Sequence, residues 1–159
     1  MKCSFSPVSH KNCTILILGS LPSEISLRDQ KYYANPRNDF WRIMSAVLHE
    51  PLCDDYDSRC QLLLKHSLAL WDVVRIAERL GSSDSAIKNE EPNDIHGFLS
   101  THTKIEKILC NGSKAAYFFR KYFADVNIMH MVLPSTSPAN AKTSFNEKVL
   151  QWKNAVCGK

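Results

Sequence analysis

Residues Thr14 to Leu18 read TILIL and are followed at once by Gly19 and Ser20. An apolar run without polar positions is typical of a strand covered on both faces, as in a parallel sheet. Three later stretches are also candidate strands: Leu68 to Val74 (LALWDVV), Lys104 to Cys110 (KIEKILC), which is closed by Asn111-Gly112, and Asn127 to Leu133 (NIMHMVL), which ends at Pro134. The sequence therefore predicts four strands in a mostly parallel sheet.

Helical patterns separate these strands. Asp39 is the predicted N-terminal cap of a helix whose apolar stripe is Phe40, Ile43, Met44 and Val47. Further helices are predicted at Ser58 to His66, Asn93 to Ser100, Ser113 to Phe123 and Ser144 to Val156, with a helical turn at Arg75 to Leu80. Strands alternating with helices predict a three-layer α/β/α sandwich, as one domain over residues 1–159.

The composition excludes several classes of protein. The chain has 159 residues, 44% of them hydrophobic, which is ordinary globular usage. No apolar stretch approaches the roughly 18 residues that a membrane-spanning helix needs. The N-terminal residues lack a secretory apolar core, so we expect a cytoplasmic protein. The formal charge of +4 permits a polyanionic partner without requiring one.

Neither a metal nor a cofactor is expected. The six cysteines form no C-x-x-C pair, and the six histidines are scattered without ligand spacing. Gly19 stands alone in its loop, which excludes a Walker A loop and a G-x-G-x-x-G fingerprint.

Two unusual loops follow predicted strands, and open parallel sheets bind ligands beyond the carboxyl ends of their strands. The first runs from Gly19 to Trp41, with no sustained period between Leu21 and Asn38. Its aromatic pair Tyr32 and Tyr33, with amides and hydroxyls nearby, suits the stacking of a planar heterocycle. The tyrosines can equally cover the core.

The second loop, Leu133 to Asn140, reads LPSTSPAN and is followed by Lys142. Small hydroxyl residues with backbone N–H groups suit contact with phosphate oxygens. Serine–proline segments are also ordinary turns.

The two loops together resemble the uracil-DNA glycosylase superfamily. The resemblance rests on two segments, GSLPSEISLRDQKYYANPRNDFW (residues 19–41) and LPSTSPAN (residues 133–140). Asn111-Gly112, before a helix with Lys114, adds to the likeness. The hypoxanthine (deoxyinosine) branch is the most similar. The resemblance implies a monomeric, monofunctional enzyme that acts on double-stranded DNA, releases a deaminated base by hydrolysis and leaves an abasic site. It further implies a location with the genome, at the nucleoid of a bacterium or in a nucleus.

The resemblance also assigns roles to residues. Asn38 matches the amide that orients water or contacts the base, and Tyr33 matches the aromatic that stacks on a flipped base. The implied base-binding residues are Gly19, Ser20, Leu21, Pro22, Tyr33 and Asn111. The implied DNA-binding residues are Ser23, Arg37, Ser135, Ser137, Ala139 and Lys142. Leu21 and Ser135 depart from the family pattern, since the mismatch-specific members carry Asn at the first position and relatives carry His or Asn at the second.

Three alternatives remain open on sequence alone. A related glycosylase can prefer uracil or a mismatched thymine. A binding module can recognise lesions or single strands without cleaving them. A small-molecule enzyme can use the loop serines as nucleophiles, although the first loop has no histidine to activate them.

Overall fold

The computed structural model describes residues 1–158 and is built around a four-stranded, fully parallel sheet. The strands are β1 (Lys2–Cys3), β2 (Ile15–Gly19), β3 (Leu68–Asp72), β4 (Val74–Glu78), β5 (Lys88–Pro92), β6 (Lys107–Asn111) and β7 (Met129–Leu133). The order of strands in the parallel sheet is β3-β2-β6-β7. The helices are α1 (Glu24–Asp29), α2 (Phe40–Leu48), α3 (Tyr56–Lys65), α4 (Ile95–Thr101), α5 (Ser113–Phe123) and α6 (Phe145–Cys157), with a 3-10 turn at Asp84–Ala86.

Strand β2 lies at the centre of two apolar layers. Ile15 and Ile17 pack on one face, among side chains of α2, α3 and α6. Leu16 and Leu18 pack on the other face, among side chains of α4 and α5. All five residues of β2 are buried because both faces of the sheet are covered. The predicted three-layer α/β/α sandwich is confirmed.

A second, three-stranded antiparallel sheet of order β1-β4-β5 was not predicted. The helical turn expected at Arg75 to Leu80 is wrong, because β4 occupies Val74–Glu78. Its conformation is fixed by pairing with Lys2–Cys3 and Lys88–Pro92, which are distant in sequence. A local pattern does not show such pairing.

Two details of the first loop also differ from expectation. The stretch predicted to be irregular contains α1, whose N-terminus is capped by the Ser23 hydroxyl accepting from the Ser26 N–H at 3.2 Å. Asp39 precedes α2 as expected, yet its side chain makes no capping hydrogen bond. That carboxylate pairs instead with Arg42 and Lys148.

The carboxyl ends of the parallel strands bring distant residues to one edge of the sheet. Gly19 is in register with Asp72 on β3, and Asn111 on β6 is in register with Leu133 on β7. The chain passes from β2 to β3 on one side and to β6 on the other, so strand order switches at β2. Both predicted loops therefore start from the same edge.

Within residues 1–158, no helix combines the length and the apolar character needed to cross a membrane.

Gly112 makes the tight connection from β6 to α5. Its φ of +93° lies in a region that side chains rarely adopt, and a Cβ there would lie 3.0 Å from the Ser135 Cβ. Glycine thus lets the second loop approach the end of β6.

We expect Gly112→Ala to lower the free energy of unfolding by about 2 to 4 kcal/mol, because the strain at positive φ and the close contact with Ser135 both destabilise the folded state. Gly81→Ala is the matched control: Gly81 has φ of +73°, but a Cβ there would have no atom within 4 Å, so only strain of about 1 kcal/mol is expected. Urea denaturation measures both. Equal losses in the two variants would contradict the steric part of this explanation.

Candidate nucleic-acid site

A cavity of about 900 Å³ opens at the carboxyl edge of the parallel sheet. Residues from both loops line it, so the structure brings together Tyr33 and Asn38 of the first loop and Ser137 of the second. The sequence-predicted residues in its lining are Gly19, Ser20, Leu21, Pro22, Ser23, Tyr33, Asn38, Asn111, Ser135, Ser137 and Ala139. This volume is sufficient for a nucleobase with its sugar.

Tyr33 presents its ring in the cavity from an unusual backbone conformation. Its φ is +53°, a region that bulky residues rarely occupy. The ring stacks on buried Phe40 with centroids 4.2 Å apart, which holds it in place. Burial raises the pKa of the phenol well above its usual range, so the hydroxyl stays protonated.

Asn111 connects the two loops through its side-chain amide. Its Nδ2 donates to the Tyr33 hydroxyl and to the Thr136 Oγ1, each at 3.0 Å. Its Oδ1 accepts from the Thr136 N–H, also at 3.0 Å. Asn111 therefore positions the stacking ring, in addition to lining the cavity.

The side-chain amide of Asn38 uses its oxygen, but not its nitrogen, to cap a helix. Its Oδ1 accepts from the Phe40 N–H at 2.9 Å, which caps the start of α2 in place of Asp39. The Nδ2 group is not used by that cap. The side chain thus offers N–H donors in the cavity from a fixed orientation.

Two carboxylates, Asp72 and Asp84, also line the cavity. The Ser20 hydroxyl donates to Asp84 Oδ1 at 2.8 Å. Burial is the main cause that raises the pKa of Asp84, while the Ser20 hydrogen bond lowers it. Burial also raises the pKa of Asp72, to about 7, with a smaller contribution from the charge of Asp84.

Arg79 lies beside this pair and connects the first loop to the loop after β4. Its guanidinium donates to the Pro22 carbonyl oxygen and, at 2.7 Å, to the Gly81 carbonyl oxygen. None of the lining residues within the described chain is lysine or arginine, so the cavity wall itself is acidic and hydroxyl-rich.

The second loop uses its hydroxyls partly for its own geometry. Ser135 Oγ accepts from the Ser137 N–H, and Ser137 Oγ accepts from the Ala139 N–H, both at 3.2 Å. Both hydroxyl hydrogens stay available to a ligand. Thr136, fully buried, accepts through its carbonyl oxygen from the Asp39 N–H at 2.9 Å and joins the loop to α2.

Some sequence-predicted residues lie elsewhere or have a second role. Arg37 and Lys142 are exposed and are not part of the cavity lining. Tyr32 is a core residue, 4% exposed, with its hydroxyl donating to the Ser6 carbonyl oxygen at 2.9 Å. Leu21 lines the cavity from within the core, at 7% exposure.

Sequence reasoning missed Asp72, Asp84 and the serines around Asp84. Asp72 had a usable signal, since an acidic residue ending a buried strand belongs at the same edge as Gly19. Asp84 had none, because its loop reaches the cavity only through the unpredicted second sheet. Among residues 1–158, no three His, Cys, Asp or Glu side chains are grouped closely enough to hold a metal ion.

Comparison with known proteins agrees with this geometry. The family model described as "Uracil DNA glycosylase superfamily" matches residues 6–155. Two proteins named hypoxanthine DNA glycosylase are similar in sequence: one from Methanosarcina acetivorans, 40% identical over 154 residues with 96% of each chain covered, and one from Methanosarcina barkeri, 34% identical over 155 residues with 97% covered.

A solved structure is also similar. A Methanosarcina acetivorans protein, determined by solution NMR as a candidate uracil DNA glycosylase, superposes with a TM-score of 0.86 at 39% identity, covering 98% of this chain and 96% of that one. The family match spans most of the chain and includes both loops that form the cavity. The chain therefore belongs to the uracil DNA glycosylase superfamily.

Proposed function

We propose that this DNA N-glycosylase removes hypoxanthine from deoxyinosine in double-stranded DNA and leaves an abasic site. The observation that carries the proposal is the joint placement of Tyr33, Asn38 and Ser137 around one cavity. A base swung out of the duplex can stack on an aromatic ring there, with its sugar and phosphate toward the second loop. The sequence similarity to two hypoxanthine DNA glycosylases supports the choice of base.

Hydrolysis develops negative charge on the leaving base and positive charge on the sugar, and the cavity has groups that can stabilise each. The leaving base takes the electron pair of the glycosidic bond, so N–H donors such as the Asn38 amide stabilise it. The sugar approaches an oxocarbenium ion, which the acidic wall around Asp84 favours. No lysine lines the described cavity, so we propose direct attack by water, without a Schiff base.

We propose that the residues predicted to bind DNA contact it in two places, at the cavity and on the surface outside it. Ser135 and Ser137, with Ala139 at the exposed mouth, would follow the strand that carries the lesion. Arg37 and Lys142 would contact phosphates outside the cavity, where exposed cations screen the backbone charge. We propose that the protein acts as a monomer in the compartment that holds the genome.

A duplex carrying one deoxyinosine tests the proposed activity. Incubation followed by alkali should cut the lesion strand at the abasic site, while release of free hypoxanthine is followed by chromatography. Parallel duplexes with uracil or a thymine mismatch measure base preference. Binding of the deoxyinosine duplex without base release would identify a lesion-binding module and contradict the proposal.

Asn38→Ala and Asn38→Asp separate the two roles of this side chain. We expect both to lower the single-turnover rate of hypoxanthine release by about 100-fold or more, since each removes the amide donor. Only Asn38→Ala should also lose about 1 kcal/mol of stability, because a carboxylate can still accept from the Phe40 N–H. Thermal unfolding gives the second measurement. A wild-type rate in folded Asn38→Ala would remove Asn38 from the mechanism.

Tyr33 substitutions test stacking. Tyr33→Phe keeps the ring on Phe40 and loses only the hydroxyl that accepts from Asn111, so its rate should fall less than that of Tyr33→Leu, which loses the flat surface. Base stacking is worth about 1 to 3 kcal/mol, so kcat/KM for Tyr33→Leu should fall roughly 10- to 100-fold. Steady-state assays on the deoxyinosine duplex measure this. Equal values for the leucine and phenylalanine variants would argue against a stacking role.

A further inference from the structure

Asp72 is the more buried of the two carboxyl side chains in the cavity wall, and one of its carboxyl oxygens has no hydrogen-bond partner within residues 1–158. Its side chain comes from the last position of β3 and is 4% exposed. Its Oδ2 has no hydrogen-bond partner among residues 1–158. A buried carboxylate is normally held by donors, so this oxygen is a group that a ligand must satisfy or that carries its own proton.

Gly19, on the neighbouring strand β2, leaves space for the Asp72 carboxyl because it has no side chain. A Cβ on Gly19 would lie 2.5 Å from Asp72 Oδ1 and 2.9 Å from the Tyr33 hydroxyl. Only glycine lets both groups approach this point, the carboxyl from one side and the phenol from the other. The carboxyl thus borders the same cavity as the ring proposed to stack on the base.

Asp72 and Asp84 differ in their hydrogen bonding. Burial raises the pKa of both carboxyls, but Asp84 also accepts a hydrogen bond from the Ser20 hydroxyl, which lowers its pKa. Asp72 has no such donor at Oδ2 and is more deeply buried, which favours its neutral form. Neighbouring carboxyls with environments that differ in this way commonly divide the work, one as an anion and one as an acid.

We propose that Asp72 is a catalytic residue that donates a proton, as a neutral carboxylic acid, to a ring nitrogen of the departing purine. This inference rests on the proposed function and names the acid for it. The bond from C1′ to the base nitrogen breaks, and its electron pair stays with the base. The Asp72 proton moves to a base nitrogen as negative charge develops there, which leaves Asp72 as a carboxylate.

Water then completes the hydrolysis. Its oxygen forms a bond to C1′ of the oxocarbenium ion, and the proton that it loses returns Asp72 to the acid form, directly or through solvent. One water is consumed, and the products are the neutral base and the abasic sugar. Tyr33 keeps its own proton because burial raises its pKa, so it does not compete as an acid.

Charged and titratable groups around Asp72 come from three elements. Asp84, on the 3-10 turn, raises the pKa of Asp72, and Arg79, after β4, lowers it. Tyr32 and Tyr33 face it from the loop before α2 and remain neutral. Further out, Lys114 lies near Asp84 and Glu24 near Arg79.

The test is the pH profile of single-turnover hypoxanthine release from the deoxyinosine duplex, with wild type, Asp72→Asn and Asp84→Asn. A required acid is active below its pKa, so the wild-type rate should fall about tenfold per pH unit above a midpoint near 7. Asp72→Asn should be about 100-fold slower at pH 6 and should lack this alkaline decline. Asp84→Asn should move the midpoint to lower pH, because it removes a neighbouring negative charge.

Asp57→Asn is the control, since Asp57 is an exposed carboxylate on α3 outside the cavity, and its profile should match wild type. A wild-type rate that stays constant or rises between pH 6 and pH 9 overturns the acid role while the proposed function stands. A folded Asp72→Asn protein that releases hypoxanthine at the wild-type rate at pH 6 also leaves the proposed function standing and overturns the acid role. If Asp72→Asn does not fold, an unmoved midpoint in Asp84→Asn overturns it. A wild-type protein that releases no base overturns the proposed function and this inference together.

Discussion

A single side-chain amide, that of Asn111, holds the site together. Residues from three separate parts of the chain meet there: the end of β6, the first loop through Tyr33, and the second loop through Thr136. Each of these hydrogen bonds is worth only about 1 kcal/mol. Their main effect is on geometry: one holds the hydroxyl of Tyr33, a residue whose φ of +53° is rarely adopted by bulky side chains, and two hold the second loop.

The parallel sheet makes that meeting possible. Parallel strands place all their carboxyl ends at one edge, so β2, β3, β6 and β7 each deliver a residue to the cavity. The apolar layers on both faces bury the strands and prevent a shift in register. The site therefore depends on the packing of residues such as Leu16 and Ile17, which never contact a ligand.

The sequence predicted the architecture well, because its signals are local. A continuous apolar run such as Ile15–Gly19 indicates a doubly covered strand, and proline- and serine-rich loops after strands indicate the ligand edge. The antiparallel sheet was missed because β4 is held by strands far away in sequence. The cap of α2 was assigned to Asp39 rather than Asn38, since the choice depends on the ion pair of Asp39 with Lys148 on α6.

The two acidic residues of the site were not predicted, although Asp72 ends a buried strand at the same edge as Gly19. Tyr33 and Asn38 lie in a motif whose residue types suggest base recognition directly. The chemical importance of Asp72 and Asp84 depends on burial, which raises the pKa of both carboxyls, and for Asp72 also on the charge of Asp84. Leu21 contributes apolar surface to the core beside them. Because an apolar side chain can neither give nor take a proton, proton transfer in this part of the cavity requires a titratable group, and Asp72 and Asp84 are the carboxyls that line it.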